Sequence, residues 1–329
     1  VGAGSWGTAL AWVLGHQGKQ VYLWGRNREA MAQIAHDRVN HRYLPDAQLP
    51  DSVWPIADIE RLTECPLLIL AVPSGAIRAV AAQLPTHERL WVLAAKGLDP
   101  ETGKRLSEVV QEVASIALAQ LVVLSGPNLA VEIVRGIPTA TVVASVNAEA
   151  AEQVQLLFMT PTLRVYTNDD LVGVELGGAL KNVYAIGAGL SDGLGFGDNT
   201  KGALLTRGLA EMMRLGVALG ACPETFMGLT GVGDLFATAV SRLSRNYRLG
   251  YALAQGVPTT DALRQLGQVA EGYPTALVAE RLARQHGVDT PLLNAIASLL
   301  RGECQVRDAL QSLMTRPPKG EREFRFIRP

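Results

Sequence analysis

The chain has 329 residues, 48% of them apolar, with 30 lysines and arginines against 31 aspartates and glutamates and a net charge of −1. That length suits about two domains with substantial cores, and the even charge balance lacks the basic footprint of a partner for nucleic acid or an anionic membrane. Cys65, Cys222 and Cys304 form no CxxC pattern; they read as buried thiols of a reducing compartment. No 18-residue uncharged apolar run occurs, so no integral membrane segment is expected and the reading is a cytoplasmic globular protein.

The chain opens on Gly2-Ala3-Gly4-Ser5-Trp6-Gly7, a G-x-G-x-x-G, followed by a helical stretch over 8–16, a capping Gly18 and a strand over 20–24. Turn, helix and strand come in the order of a dinucleotide-binding unit. Gly2 permits the tight turn, Gly4 lets a pyrophosphate reach the backbone, and Gly7 lets the helix pack on the sheet. The phosphates would then meet the positive end of the helix. The strand that should precede the loop is reduced to Val1, so further residues upstream are expected. Where an NAD-selective protein places an acid after the second strand, this chain has Gly25-Arg26-Asn27-Arg28. Arg26 either takes a 2′-phosphate or is a solvated surface arginine; NADP(H) is accepted on this reading and NAD(H) stays open.

Continuous apolar runs at 67–72, 90–94, 121–124, 139–144 and 163–166 read as parallel strands covered on both faces. Helical stretches such as 77–83 and 104–119 lie between them. Chemistry in such folds sits beyond the strand C-termini, where Val72-Pro73-Ser74, Lys96-Gly97 and Ser125-Gly126-Pro127-Asn128 fall. Lys96 is placed to meet an anionic substrate, or is an ordinary solvated lysine.

From about Asn168 strand patterns stop and helical ones take over. The fold class is therefore α/β, a Rossmann-type doubly wound sheet over 1–167 followed by an all-α domain over 168–329. The first helical stretch, 170–192, carries Gly173, Gly177, Gly178, Gly187 and Gly189, each costing about 0.8–1 kcal/mol relative to alanine in a helix. Close approach of a backbone or a ligand explains such a cost. An apolar stripe of Val172, Leu176, Ala179, Val183, Ile186 and Leu190 faces a core, and Lys181 lies opposite with no carboxylate one turn away. Either it snorkels to solvent, or it is a desolvated amine able to exchange protons near neutrality.

Asp198-Asn199-Thr200 supplies N-cap chemistry for a helix running to about 219. Gly228–Leu235 is a second glycine-dense turn whose only acid is Asp234. In Ser244-Arg245-Asn246 the arginine suits a phosphate, or is a surface charge. Glu271 opens another helical region, and the tail from Arg316 is polar and mobile on this reading. No GxSxG or HExxH occurs. His16, His36, His41, His87 and His286 form no ligand-spaced cluster and read as surface residues, so metal catalysis is not expected.

Together these segments resemble the bacterial NAD(P)-dependent sn-glycerol-3-phosphate dehydrogenases along nearly the whole chain. The resemblance is carried by GAGSWGTALA at the start, AVPS at 71–74, KGL at 96–98, SGPNLAVEI at 125–133, ELGGALKNVYAIGAGLSDGLGFGDNTKGALLTRGLAEM at 175–212, GVGDL at 231–235, SRN at 244–246 and AEGYPTA at 270–276. It implies reversible conversion of glycerol 3-phosphate and dihydroxyacetone phosphate, supplying the phospholipid backbone, by a homodimer. Lys181 takes the family's proton donor/acceptor position. Substrate contacts fall on Lys96, Gly126, Asn128, Asp234, Ser244, Arg245 and Asn246. Cofactor contacts fall on Ser5, Trp6, Arg26, Lys96, Ala130, Arg245, Val269 and Glu271, beside Gly2, Gly4 and Gly7 of the opening loop. Two rival readings are another β-hydroxyacid or ketoacid reductase and a nucleotide sensor without catalysis.

Overall fold

The structure, a computed structural model, describes residues 1–84 and 88–321, so His87 and the end of the tail lie outside the described residues. The first half alternates α1 (Ser5–His16), β1 (Val21–Trp24), α2 (Arg28–Asp37), β2 (Val39–Asn40), β3 (Leu44–Gln48), β4 (Val53–Ile56), β5 (Leu67–Leu70), α3 (Ile77–Ala81), β6 (Leu90–Leu93), α4 (Leu106–Ala114), β7 (Leu121–Ser125), α5 (Ala130–Val134), β8 (Thr139–Ala144), α6 (Ala148–Phe158) and β9 (Leu163–Asn168). β1 pairs in parallel with β4, β2 and β3 form a small hairpin, and β5 to β9 form one sheet in sequence order.

Val1 and Gly2 stitch the two parallel groups together. The Val1 amino group donates to the Ile69 carbonyl at 2.7 Å, the Ala71 N–H donates to the Val1 carbonyl at 2.8 Å, and the Gly2 N–H donates to the Trp24 carbonyl at 2.9 Å. A stub of backbone thus lies where a doubly wound layer has its central strand. Strand side chains alternate between the two faces. Trp91 and Leu93 pack with α3 and α4 on one side, while Val92 and Val122 pack with α1 and α6 on the other.

Two expectations for this half need correcting. β8 runs antiparallel to β7, although its apolar run resembles that of its parallel neighbours. Such a run reports burial on both faces and carries no direction. The connecting α5 has five residues and rises only about 7.5 Å, too little to return the chain along a strand before pairing. The stretch 104–119 is also broken: α4 covers only Leu106–Ala114 and ends at Ser115 with φ 51°. β4 escaped the sequence reading because Pro55 interrupts it, which an edge strand tolerates.

The second half contains α7 (Leu171–Gly193), α8 (Asp198–Ala218), α9 (Asp234–Val240), α10 (Arg245–Ala254), α11 (Thr259–Leu266), α12 (Gly272–Gln285), α13 (Pro291–Arg301) and α14 (Val306–Met314), with no strand among the described residues. Asp198 is the first residue of α8 rather than its cap, where its charge still favours the helix N-terminus. Asp170 caps α7 by accepting from Gly173 N at 2.8 Å and also holds Thr225 Oγ1 at 2.6 Å. From there α7 is buried on nearly every face, not only along the apolar stripe, because α8, α9, α10, α12 and α13 surround it. Its crossing with α10 is backbone on backbone: a Cβ on Gly189 would strike the Tyr247 carbonyl, and one on Gly250 the Ile186 carbonyl. Cys222 is exposed, contrary to the expectation of buried thiols.

The halves are also joined by a buried carboxylate. Glu175 on α7 accepts from Ser107 N at 2.9 Å and Ser107 Oγ at 2.6 Å, satisfying the first turn of α4. The helix bearing Lys181 is thereby fixed against the nucleotide-type half.

Candidate active site

Lys181 projects from the middle of α7 to the side where β6 and β7 end. Its Nζ lies 2.9 Å from Asp234 Oδ1 and donates to Thr238 Oγ1 at 2.6 Å. The other Asp234 oxygen accepts from Lys96 Nζ at 2.7 Å, and Lys96 also donates to the Gly126 carbonyl at 2.7 Å. Thr238 O–H in turn donates to Asp234 Oδ1 at 3.1 Å. Two ammonium groups therefore share one carboxylate. Each has three donors, and each keeps one without a partner among the described residues.

Local sequence builds this arrangement. Leu229–Gly233 forms a π-helical turn, with Gly233 N donating to Gly228 O, and delivers Asp234 at the start of α9; such turns concentrate at functional sites. Gly126 has φ 130°, a conformation open to glycine, which aims its carbonyl at Lys96. A Cβ on Gly178 would meet the Ser125 hydroxyl and come within 3.6 Å of Lys96 Cγ. The glycine lets α7 descend onto the ends of the strands.

Lys181 is 6% exposed and Asp234 2%. Burial lowers the Lys181 pKa to about 8; Asp234 opposes that shift and the Lys96 charge adds to it. Burial alone would raise the Asp234 carboxyl, but the two ammonium groups outweigh it and hold the pKa below the usual range. The alternative of Lys181 snorkelling into solvent is set aside by these contacts.

Arg245, the first residue of α10, is half-buried and makes no hydrogen bond or ion pair among the described residues. Burial lowers its pKa, while the Glu271 carboxylate and Tyr43, at the tip of the β2–β3 hairpin, act in the opposite sense. Its neighbours are committed in part elsewhere. Ser244 Oγ caps α10 by accepting from Tyr247 N at 3.2 Å. Asn246 donates to Asn182 Oδ1 at 2.7 Å and accepts from Gly272 N at 2.9 Å. A phosphate at this corner would meet the Arg245 fork and the free N–H groups of the first turn of α10, and the Ser244 O–H and the second N–H of the Asn246 amide still have a donor to give. Asn128 is different: both ends of its amide are buried without a partner.

On the cofactor side, Gly2 has φ 106° and a Cβ there would lie 2.8 Å from the Ala71 carbonyl, while a Cβ on Gly7 would strike the Gly2 carbonyl. Gly4 is the opposite case, with no atom within 4 Å of such a Cβ. It precedes Ser5 at the N-terminus of α1 with no side-chain cap, and the nearby Trp6 indole N–H is buried without a partner. An open glycine, an uncapped helix start and an orphaned donor fit a dinucleotide pyrophosphate. Arg26 is exposed just past β1, Ala130 is buried at the start of α5, and Val269 is exposed. Glu271 crosses the cleft: its carboxylate accepts from Ser74 N at 3.0 Å and from Ser74 Oγ.

Thr238, Tyr43 and Asn182 were not found by sequence reasoning, whereas Ser74 falls in the Val72-Pro73-Ser74 turn expected beyond a strand end. Thr238 had a signal, lying one helical turn beyond Asp234; Tyr43 and Asn182 are set by tertiary contact. Among the described residues no three His, Cys, Asp or Glu side chains are grouped to hold a metal ion, and no helix is long and apolar enough to cross a membrane.

The family model described as NAD-dependent glycerol-3-phosphate dehydrogenase N-terminus matches residues 1–151, and that for the C-terminus matches 170–311. A Geobacillus kaustophilus protein named glycerol-3-phosphate dehydrogenase (NAD(P)+) is 48% identical over 326 residues, covering 98% of this chain and 95% of that protein. One of the same name from Alkalilimnicola ehrlichii is 49% identical over 321 residues, covering 96% of each. The crystal structure of glycerol-3-phosphate dehydrogenase from Coxiella burnetii superimposes with a TM-score of 0.92 at 37% identity, covering 96% of this chain and 97% of that one.

Proposed function

The chain belongs to the NAD-dependent glycerol-3-phosphate dehydrogenase family, and from that premise we propose that it interconverts dihydroxyacetone phosphate and sn-glycerol 3-phosphate with Lys181 as general acid and base. The observation that carries this reading is the buried Lys181 ammonium, which shares Asp234 with Lys96 and keeps a free donor. Bound NADPH or NADH supplies the hydride to the ketone carbon. The chain's own residues do the rest. Lys181 and Lys96 turn their free N–H groups to the ketone oxygen as charge gathers on it. Lys181 then delivers a proton, and in the oxidative direction its neutral amine removes one.

Asp234 and Thr238 fix the direction of the Lys181 amine. Arg245, with the first turn of α10, holds the substrate phosphate, so that binding energy remote from the reaction positions the carbonyl. The unpartnered amide of Asn128, beside Gly126, is available to a substrate hydroxyl. Residues 1–167 serve as the cofactor domain and 168–329 as the substrate domain. The product suits the backbone of phospholipids, and the working form in this reading is a cytoplasmic homodimer.

The test is Lys181→Met. Its kcat should fall at least about 10²-fold, the lower end for general acid–base catalysis, with the Kd for NADPH unchanged by fluorescence titration. Near-normal turnover would overturn the assignment. Turnover lost together with cofactor affinity would also count against it, since the lysine would then be serving the fold or the cofactor.

A further inference from the structure

A cavity of about 410 Å³ opens between α10 and α11, lined by Arg242, Tyr247, Arg248, Tyr251, Ala262 and Leu266 and sharing no residue with the site above. Its volume lies within the usual range for small-molecule sites. Arg242 and Arg248 are exposed, and neither has a hydrogen-bond or ion-pair partner among the described residues. This contrasts with Arg264 on the adjoining α11, which is paired with Asp261 at 2.8 Å. α10 itself, RNYRLGYALA, carries no acid. Two like charges brought to one cavity without a counter-charge favour an anion, and the arginine fork matches phosphate.

The rest of the lining is aromatic and apolar. The Tyr247 and Tyr251 rings are stacked with centroids 6.4 Å apart, and Tyr251 is 44% exposed. Tyr247 O–H is turned away to Asp192 at 2.6 Å, and that carboxylate is already neutralised by Lys201 at 2.7 Å. It therefore does not oppose a negative ligand. A ring lying on Tyr251 with a phosphate between the arginines would use every one of these features.

We propose that this cavity is an effector site for a phosphomonoester bearing a flat ring, of the size and class of a nucleoside monophosphate. Its effect would reach the substrate through α10, which lines the cavity, begins at Arg245 and lies backbone to backbone against α7 at Gly189 and Gly250. That coupling rests on the reading of Arg245 given above; binding itself does not.

The experiment is calorimetric titration of phenyl phosphate and AMP into the enzyme held with NADP+ and dihydroxyacetone phosphate, a pair that cannot react but fills the cleft. Both ligands should bind saturably, and at least about tenfold more weakly to R242Q/R248Q, as the loss of charge-assisted hydrogen bonds requires. Inorganic phosphate and octyl phosphate should bind more weakly than phenyl phosphate. Absence of saturable binding, or equal binding by the double variant, would overturn the site; octyl phosphate binding as tightly as phenyl phosphate would overturn the ring. Phenyl phosphate should also shift the KM for dihydroxyacetone phosphate at least about twofold in the parent and not in the double variant. Binding with an unchanged KM would overturn the effector role. The titration reads no turnover, so failure of the dehydrogenase reading would appear in the Lys181→Met assay and not here.

Discussion

α1 and α7 are both glycine-rich where they approach the cleft, and they use glycine in opposite ways. At Gly4, before α1, the space a side chain would take is left empty by the protein. Along α7 the equivalent spaces are filled: Gly177 by Thr230, Gly178 by Ser125, and Gly189 by the backbone of α10. One glycine leaves its space open, and the others let protein approach protein. The difference matters electrostatically. Filled spaces exclude water from Lys181 and lower its pKa, whereas the open one leaves the N–H groups of α1 available.

The largest expected effect tests the filled side. Gly189→Ala puts a methyl group into the Tyr247 carbonyl, which no rotamer change relieves. Overpacking typically costs about 1–3 kcal/mol and sometimes more; a backbone contact belongs at the upper end. Urea unfolding should give a loss of about 3 kcal/mol or more. A loss under about 0.5 kcal/mol would mean that the two helices are not in this contact.

Next comes pH, which reads the dryness of the filled slot directly. With the Lys181 pKa lowered to about 8 by burial, the neutral amine predominates only above that pH. In the oxidative direction kcat/KM, which reports the free enzyme, should rise about tenfold per unit up to roughly pH 8 and then level. In the reductive direction the ammonium is needed, so kcat/KM should fall above the same point. Asp234→Asn sharpens the test. The carboxylate favours the protonated lysine, so its removal should move the inflection to lower pH, and an inflection moved upward would contradict the geometry.

Much of this comparison was legible in the sequence, but not its sense. The G-x-G-x-x-G and the loss of strand patterns near Asn168 marked both halves, and Lys181, with no acid one helical turn away, stood out as the candidate amine. Glycine letters alone could not separate Gly4 from Gly189, because what fills the missing side chain comes from segments far along the chain. The same limit applied to Asn246, whose amide meets Asn182 and Gly272, 64 and 26 residues away in the chain. It applied to β8 as well, where burial was written in the residues and direction was not.

On the open side, Gly4→Ala meets no protein atom within 4 Å. Stability should therefore stay within about 0.5 kcal/mol of the parent, while the Kd for NADPH rises about tenfold as the methyl group keeps the pyrophosphate from the backbone. A cofactor affinity that did not change would mean that the space at Gly4 is not the phosphate cradle. A large loss of stability would show that the protein itself uses that space.

The smallest effect lies at the rim of the open side. Arg26 follows β1, is exposed, and has no partner among the described residues, so nothing in the fold depends on it. If it receives the 2′-phosphate, it contributes one charge-assisted contact in a solvated position, and Arg26→Ala should raise the KM for NADPH several-fold, below the roughly 1.5–3 kcal/mol of better-shielded charged hydrogen bonds. The KM for NADH, which lacks that phosphate, should not move, and stability should be unaltered. An equal rise for both cofactors would assign Arg26 to stacking on the adenine that they share. No change for either would leave cofactor choice to the backbone around Gly25, and the open cradle would then select a dinucleotide without reading its 2′ position.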